Sequence, residues 1–297
     1  MATQPHNAQW ARRPISVRCP AKLNLFLEVL RKRPDGYHDL DTVMQAVDLF
    51  DDLLIEPHEG PELSLVCSEP SLPTDGRNLV LRAALALRER TGHRGGARLA
   101  LTKRIPMQAG LGGGSSDAAG ALAGLNRAWG LGLSTDELRQ VAATLGSDVA
   151  FFLYGGTARC TGRGDIVEPL PAPAVFHYVL ACPSVGVSTA DAYARLSPLL
   201  TSPRASASMM AGMVTQGSVE GTGRCLFNRF EEAVFDARPE LLDLKERLVH
   251  TPGVVGASLT GSGSAVFALC RPGEQGCVCA LTADLAVAEV HAVRSAG

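Results

Sequence analysis

The stretch PMQAGLGGGSSDAAGAL, Pro106 to Leu122, places four glycines in five residues directly before two serines and an aspartate. A P-loop would need G-x-x-x-x-G-K-[ST], but this stretch contains no lysine. A dinucleotide-binding G-x-G-x-x-G that begins at Gly110 would need glycine at position 115, where the chain has Ser115. The remaining interpretation is a glycine-rich loop leading into a helix N-terminus, a geometry that binds phosphate through backbone N–H groups.

The helix behind this loop is predicted from SSDAAGALAGLNRAWG, in which small residues and leucines recur at helical spacing as far as Gly130. Ser115, Ser116 and Asp117 favour N-cap and first-turn positions, so we expect the helix to begin there. Its free N–H groups and positive dipole end would then face the loop. The alternative is a tight turn before a capped helix, with glycines present only for positive φ. Four clustered glycines before two hydroxyls favour phosphate binding.

Three other parts of the sequence carry residue types that could take part in chemistry. In PAKLNLFL, Lys22 and Asn24 share one face of a predicted strand, and leucines occupy the other face. Asp148 in GSDVAFFL is a carboxylate at the start of an apolar run. A second glycine loop, SLTGSGSAVFAL, covers residues 258–269. Each also has an ordinary structural explanation: an exposed strand lysine, an N-cap aspartate and a hairpin turn.

The composition of the 297-residue chain is that of a soluble globular protein, with 46% hydrophobic residues, 20% charged residues and a net charge of −2. We expect no nucleic-acid partner, because the basic run at residues 31–33 is short. We expect no membrane span or signal peptide, because no apolar stretch approaches about 20 residues and the start lacks an apolar core. Eight scattered cysteines without a C-x-x-C pair indicate reduced thiols in a cytoplasmic protein, not a zinc site.

Local signals in the first half predict a mixture of strands and helices. ISVRCPAKLNLFLEVL predicts strands interrupted at Pro20, and the PDG sequence at residues 34–36 predicts a turn. Asn78 is expected to cap a helix over LVLRAALALRER. In STDELRQVAATLG, Ser134 opens a capping box, and Gly146 is the predicted C-cap of the same helix.

The second half begins with PLPAPA, residues 169–174, which predicts a connection between two domains, residues 1–168 and 169–297. Segment 203–223 is rich in Ser, Gly and Met without periodicity and predicts a mobile surface loop. Beyond it we expect helices broken at Pro239, then strand, glycine loop and strand, and finally a helix with an edge strand. Mixed order without strict alternation predicts an α+β fold.

Three segments, PAKLNLFLEV, PMQAGLGGGSSDAAGAL and SLTGSGSAVFAL, resemble in order and spacing the three motifs of the GHMP kinases (galacto-, homoserine, mevalonate and phosphomevalonate kinases). This resemblance runs over most of the chain. It implies a two-domain fold with a ribosomal-S5-like N-terminal domain and a ferredoxin-like C-terminal domain. PAKLNLFLEVLRKRPDGYHDLDTVMQ and GSDVAFFLYGGTARCTGRGD resemble the branch that phosphorylates 4-diphosphocytidyl-2-C-methyl-D-erythritol, in the non-mevalonate route to isoprenoid precursors.

For ATP, the resemblance implies phosphate binding by the first glycine loop, with a Mg²⁺ ion for which no protein ligand is assigned. Phosphoryl transfer depends on positioning and on compensating charge on the transferred group. By resemblance, Asp148 would take the proton of the attacking hydroxyl, and Lys22 would keep that carboxylate ionised. The ATP-binding residues implied are Pro106, Met107, Gln108, Ala109, Gly110, Leu111, Gly112, Gly113, Gly114, Ser115 and Ser116, with Asn78 and Lys103 near the adenine.

For the acceptor, Tyr37 follows the turn in a polar segment with little core to join, so a ligand or hairpin packing could explain it. His38 offers a donor and an acceptor to a base edge, and by resemblance Tyr193 would cover the other face of the base. Gln108 and Ala109 depart from the family pattern, which bears on the shape of the first glycine loop. Ala150 also departs from it, which bears on the placement of Asp148. The substrate-binding residues expected are Asn24, Tyr37, His38, Thr189, Tyr193, Thr260, Gly261, Ser262 and Gly263.

Two alternatives stay open at this point. One is another GHMP kinase, of homoserine or mevalonate type, with the same ATP site and a different acceptor pocket. The other is a nucleotide-dependent sensor that keeps the fold and has lost turnover. Retention of both Lys22 and Asp148 argues against the sensor. We expect a monomer or homodimer that acts on a small molecule, the cytidine diphosphate-linked methylerythritol.

Overall fold

The computed structural model describes residues 13–196, 205–283 and 287–296. The chain forms two compact units: unit 1 holds the described residues up to Cys19 with Phe50–Arg104 and Gly114–Leu153, and unit 2 holds the rest. Strand β1 (Ile15–Lys32) begins in unit 1 and continues into unit 2, and β2 (His38–His58) runs in the opposite sense. The domain boundary expected between residues 168 and 169 stays a prediction.

Unit 1 is built on strand β4 (Gly96–Thr102), which pairs antiparallel with the second half of β2 and parallel with β3 (Leu63–Cys67). Leucines and isoleucines at alternate positions of these strands are buried in one apolar core with helix side chains. The helices that carry these side chains are α1 (Leu79–Thr91), α2 (Gly113–Ala128), α3 (Thr135–Ala142) and α4 (Val149–Tyr154).

Two glycines inside α2 let this helix approach the strands of unit 1 closely. A Cβ atom at Gly120 would lie 2.4 Å from Cys19 Sγ, and one at Gly124 would lie 2.3 Å from Ile55 Cδ1. Glycine inside a helix costs about 0.5–1 kcal/mol relative to alanine. Shape complementarity with the strands therefore explains these glycines and fixes the position of α2.

Unit 2 contains two sets of paired strands. The first half of β2 pairs antiparallel with β5 (Thr157–Gly162), which pairs with β6 (Ile166–Leu170), and β1 pairs parallel with β8 (Phe227–Asn228). A four-stranded antiparallel sheet has the order β11-β7-β10-β9, from β7 (His177–Cys182), β9 (Val254–Leu259), β10 (Val266–Cys270) and β11 (Glu289–Arg294). The accompanying helices are α5 (Thr189–Ala194), α6 (Ala207–Thr215), α7 (Val219–Cys225), α8 (Phe230–Ala237), α9 (Pro239–Val249) and α10 (Gln275–Ala283).

The α+β class is confirmed, and so are the predicted N-caps at Asn78 and Ser134. Asn78 caps α1, with Oδ1 accepting the N–H of Val80 at 2.9 Å. Ser134 forms the expected capping box at the start of α3. The PDG turn connects β1 to β2 with Gly36 at φ +86°, α9 begins at Pro239, and β11 lies at a sheet edge.

Three predicted boundaries are wrong. β1 continues through Pro20, because the fixed φ of proline suits extended backbone. Helix α2 begins at Gly113 and not at the serines, because Gly112, at φ +73°, is the last left-handed residue of the loop. Helix α3 ends at Ala142 with its C-cap at Ala143, and a tight turn follows, so Gly146 lies beyond the cap.

The prediction of a mobile loop over residues 203–223 is wrong for the described residues 205–223, which are mainly helical. Ser206 caps α6 by accepting the N–H of Met209. Ala207, Met210 and Val214 are all buried, which is the i, i+3, i+7 spacing of one helix face. Ser208 and Gly212, which lie between these positions, hid the period in the sequence. The two predicted residues before 205, like residues 1–12, lie outside the described ranges.

Candidate active site

The first glycine loop owes part of its composition to backbone shape. Gly110 and Gly112 have positive φ, +75° and +73°, and Gln108 also lies in the left-handed region at +54°. A Cβ atom at Gly110 would lie 2.0 Å from the carbonyl oxygen of Thr260, so this glycine is required by packing. At Gly114, in the first turn of α2, the nearest atom to a Cβ is Leu79 Cδ1 at 3.7 Å. Packing therefore does not require glycine at position 114 and does not by itself explain the whole glycine run.

Within unit 2 the first glycine loop contacts both of the other motif segments. The N–H of Ala265 donates to the carbonyl of Ala109 at 3.2 Å, which joins the two glycine loops. The N–H of Lys22 donates to the carbonyl of Leu111 at 3.0 Å. Three segments far apart in sequence therefore meet at one place, as the motif hypothesis expects.

Lys22 is buried, with 3% of its surface exposed, so the exposed-lysine explanation is wrong. Its Nζ donates to Asn24 Oδ1, and the same oxygen accepts the N–H of Gly261 at 2.9 Å. Asn24 Nδ2 donates to Thr42 Oγ1 at 3.0 Å, and its backbone N–H donates to Thr260 Oγ1 at 3.2 Å. Asn24 thus joins the lysine ammonium to the second glycine loop.

Asp148 lies in unit 1, half-buried, in the turn directly before α4. Lys22 and Asn24 lie in unit 2. The placement of Asp148 at a helix start agrees with the sequence pattern. Its pairing with Lys22 stays a prediction.

The expected acceptor residues lie in unit 2, and two of their aromatic rings are in contact. The rings of His38 and Tyr193 stack at 4.7 Å, and burial, with a smaller effect of Lys32, lowers the pKa of His38. Tyr37 is 53% exposed, and the guanidinium of Arg163 lies 4.8 Å from its ring centre. The cytidine pocket expected from Tyr37, His38 and Tyr193 stays a prediction.

The hydroxyl at the start of α5 connects this aromatic pair to the second glycine loop. Thr189 Oγ1 and Ser262 Oγ lie 2.9 Å apart, within hydrogen-bond distance. Tyr193, one turn further along α5, also meets the ring of Phe230 edge-on at 4.8 Å. Thr189 therefore links α5, the helix that carries Tyr193, to Ser262 of the second glycine loop.

In unit 1, the two residues expected near the adenine have structural partners. Asn78 Nδ2 donates to the carbonyl of Pro73 at 2.8 Å, in addition to its cap of α1. The buried ammonium of Lys103 pairs with Asp117 at 2.7 Å and with Asp51. Asp51 lies on β2 and Asp117 near the N-terminus of α2, so Lys103 ties this part of the helix to a strand.

Two carboxylates share one ammonium in this cluster, and the pKa of Asp117 is raised. Burial raises the pKa of Asp117, Lys103 opposes the shift and Asp51 adds to it, giving about 7. For Lys103, burial lowers the pKa, but the two carboxylates outweigh it and leave the pKa above its ordinary value. Lys103 compensates one negative charge, so the second carboxyl is more stable neutral.

Two family models match the chain: the GHMP kinases N terminal domain over residues 78–156 and the GHMP kinases C terminal domain over residues 209–291. A curated 4-diphosphocytidyl-2-C-methyl-D-erythritol kinase of Geobacillus thermodenitrificans is 44% identical over 86% of this chain and 88% of its own. The chain belongs to the GHMP kinase family. It is accordingly an ATP-dependent small-molecule kinase.

Other relatives of this GHMP kinase support the same family assignment. A curated kinase of the same name from Symbiobacterium thermophilum is 43% identical over 88% of this chain and 93% of its own. A crystal structure of 4-(cytidine 5'-diphospho)-2C-methyl-D-erythritol kinase covers 95% of this chain and 100% of its own, with a TM-score of 0.80 and 34% identity. The mevalonate kinase of L. major, 16% identical with a TM-score of 0.74 over 97% of both chains, shares the fold.

Sequence reasoning missed several residues of this GHMP kinase that the structure places beside the motifs. Thr42 supports Asn24, and Asn228 Nδ2 donates to the carbonyls of Leu259 and Gly261, each at 2.8 Å. Asp51 was also missed. No local pattern distinguishes Thr42 or Asp51, because β2 carries polar residues along much of its length. In the described ranges, every helix is too short or too polar to cross a bilayer.

Proposed function

We propose that this GHMP kinase transfers the γ-phosphoryl group of ATP to a hydroxyl of 4-diphosphocytidyl-2-C-methyl-D-erythritol, giving the 2-phosphate. The observation that carries the proposal is the meeting of both glycine loops at the buried Lys22–Asn24 pair. Relatives at 40–44% identity, which carry the name of this kinase, support the choice of acceptor. The non-mevalonate route to isoprenoid precursors is the corresponding pathway.

In the proposed mechanism, Asp148 accepts the proton of the attacking hydroxyl, which makes that oxygen a better nucleophile. The ammonium of Lys22 stabilises the negative charge that develops as the hydroxyl loses its proton. Backbone N–H groups between Gly110 and Ser116, together with the positive end of α2, hold the phosphates of ATP. The donors are backbone groups, so no P-loop lysine is needed.

Mg²⁺ is part of the proposal because bound Mg²⁺ offsets phosphate charge in phosphoryl transfer. The hydroxyl of Ser116, in the first turn of α2, is buried and has no hydrogen-bond partner within the described part of the chain. That orphaned oxygen fits a ligand for a hard cation. The described residues contain no cluster of three or more His, Cys, Asp or Glu that could hold a metal ion. Ser116 would therefore hold Mg²⁺ together with phosphate oxygens and water.

For the acceptor, we propose that Tyr37, His38 and Tyr193 form the cytidine pocket, supported by the His38–Tyr193 stack and its link through Thr189 to Ser262. Base stacking on an aromatic ring is worth about 1–3 kcal/mol. Replacing these three residues by alanine should raise KM for the cytidylyl acceptor about tenfold or more and leave KM for ATP almost unchanged.

The decisive experiment is an assay of ADP release from ATP with three acceptors side by side: the cytidylyl-methylerythritol substrate, homoserine and mevalonate. Turnover with the first alone supports the proposal. Turnover with homoserine or mevalonate would instead identify the protein as another type of GHMP kinase. Nucleotide binding without turnover of any acceptor supports the sensor alternative. A cytoplasmic, monomeric or homodimeric state stays a prediction, which fractionation and light scattering check.

A further inference from the structure

The side chain of Asn228 is buried, and both its oxygen and its nitrogen form hydrogen bonds. Its Oδ1 accepts the N–H of Phe230 at 2.9 Å, at the start of α8. Its Nδ2 donates at 2.8 Å to two carbonyls, those of Leu259 and Gly261, in the second glycine loop. Asn228 is itself paired with Leu27 of β1, the strand that carries Lys22. The side-chain amide therefore joins α8 to the second glycine loop, and the backbone of the same residue pairs with β1.

Gly261, which Asn228 holds, lies directly beside the Lys22 ammonium. A Cβ atom on Gly261 would be 3.2 Å from Lys22 Nζ and 2.9 Å from the carbonyl oxygen of Gly110. The N–H of Gly261 and the ammonium of Lys22 share one acceptor, Asn24 Oδ1. A shift of Gly261 would therefore move Asn24 or change its share of hydrogen bonding to Lys22.

We propose that Asn228 is a positioning residue for Lys22, acting through Gly261 and Asn24. The inference rests on the proposed function, in which Lys22 touches the reacting atoms. Both the N–H and the carbonyl of Gly261 are fixed by side-chain amides, so the peptide groups on its two sides have little freedom. A displacement of reacting groups by about 1 Å can reduce a rate about 10²-fold.

Asn228→Asp is the sharpest test, because it keeps the size of the side chain and the acceptor for Phe230. An ionised carboxylate has no donor and would face two carbonyl oxygens. We expect kcat to fall about tenfold or more, with KM for ATP and acceptor changed less than about threefold. Protonation of the introduced carboxyl supplies one O–H donor, so the ratio of variant to wild-type kcat should rise as the pH falls.

Asn126→Asp is the matched control in unit 1. Asn126 Nδ2 donates to the carbonyl of Leu133 at 2.8 Å, and its Oδ1 accepts the N–H of Leu133 at 3.0 Å, so it fixes a loop by the same chemistry. We expect a comparable fall in Tm with unchanged kcat. Equal kinetic effects of the two substitutions would show that Asn228 contributes only stability and would overturn the proposal.

Two further measurements separate this proposal from the function on which it rests. In a Lys22→Ala background, Asn228→Asp should lower the residual kcat little further, and a full additional effect would contradict action through Lys22. Amide hydrogen exchange over residues 258–265 should accelerate in Asn228→Asp even if the acceptor assignment is wrong, and unchanged protection would overturn the proposal. If Asn228→Asp does not fold, Thr42→Val can be measured in its place. This substitution removes the hydroxyl oxygen to which Asn24 Nδ2 donates, and it should also lower kcat.

Discussion

The two buried lysines of the motif regions differ in what holds them, although both lie beside a glycine-rich segment or the helix that follows it. Lys103, in unit 1, is bound by two carboxylates, Asp51 on β2 and Asp117 in α2. Lys22, in unit 2, donates to the neutral amide oxygen of Asn24, which also accepts the N–H of Gly261 in the second glycine loop. An ammonium held between carboxylates of a strand and a helix stabilises the fold, whereas the role proposed for Lys22, beside two glycine loops, is in turnover. We therefore expect substitutions of Lys22 to affect turnover and those of Lys103 to affect stability.

The largest expected effect is on turnover at the proposed catalytic pair. Asp148→Asn should lower kcat about 10²-fold or more, the scale for loss of a positioned general base. Lys22→Ala should lower kcat comparably, and the double variant should be little worse, because residues that act as a unit are non-additive. Steady-state kinetics measure this, with circular dichroism as the check on folding. Near-wild-type kcat in folded Asp148→Asn would leave Asp148 as a helix-start residue only.

The next effect is on stability at Lys103. Lys103→Met leaves Asp51 and Asp117 buried together without their cation, and breaking a buried ion pair costs about 3–5 kcal/mol. Urea denaturation should show this loss. Arg104→Gln is the control, because the neighbouring Arg104–Asp52 pair is exposed and such pairs contribute about 0–1 kcal/mol. A raised KM for ATP with unchanged stability would instead support the adenine role taken from the family resemblance.

The two lysines also show how much of the fold and of the site could be predicted from the sequence. Both glycine loops, the cap at Asn78 and the residues near Lys22 were predictable because their signals are local in sequence. Asp51 and Asn228 were missed because their partners are distant: 52 positions separate Asp51 from Lys103, and 33 separate Asn228 from Gly261. Polar residues in strands have no special pattern until the fold provides their partners. Helix α6 was missed because serine and glycine obscured its period.

A smaller effect concerns the pH dependence of stability at Asp117. Its pKa is about 7 in the folded protein against an ordinary value of 3.8, mainly because of burial. The folded state then binds this proton more tightly, so the free energy of unfolding should fall as the pH rises from about 4 to about 7. Cys19, Asp51, Asp52 and Lys103 are the ionisable neighbours. Asp117→Asn should remove this fall relative to wild type.

The control for that pH series is Asp136→Asn, which removes an exposed carboxylate of α3. Urea denaturation at several pH values from 4 to 8 gives the free energy of unfolding of each protein. The slope of the control should follow that of wild type. A slope in Asp117→Asn equal to both would show that Asp117 does not hold its proton in the folded state, and the cluster would then be a fully ionised network around Lys103.

The smallest expected effect tests the loop that contacts Lys22. Among the described residues, Gln108 is the one non-glycine with positive φ, +54°, and a left-handed conformation costs a side chain about 1–2 kcal/mol. Gln108→Gly removes that strain, whereas Gln108→Ala keeps it and removes the same side-chain atoms beyond Cβ. Glycine gains more freedom in the unfolded chain, which offsets about 0.5–1 kcal/mol of the gain. The glycine variant should therefore be more stable than the alanine variant by about 1 kcal/mol, the reverse of their order in a helix. Thermal denaturation of the two variants measures the difference.

KM for ATP should change little in either variant, since the proposed phosphate donors are backbone groups. An alanine variant as stable as the glycine variant would mean that residue 108 is unstrained and that the shape of this loop does not depend on its side chain.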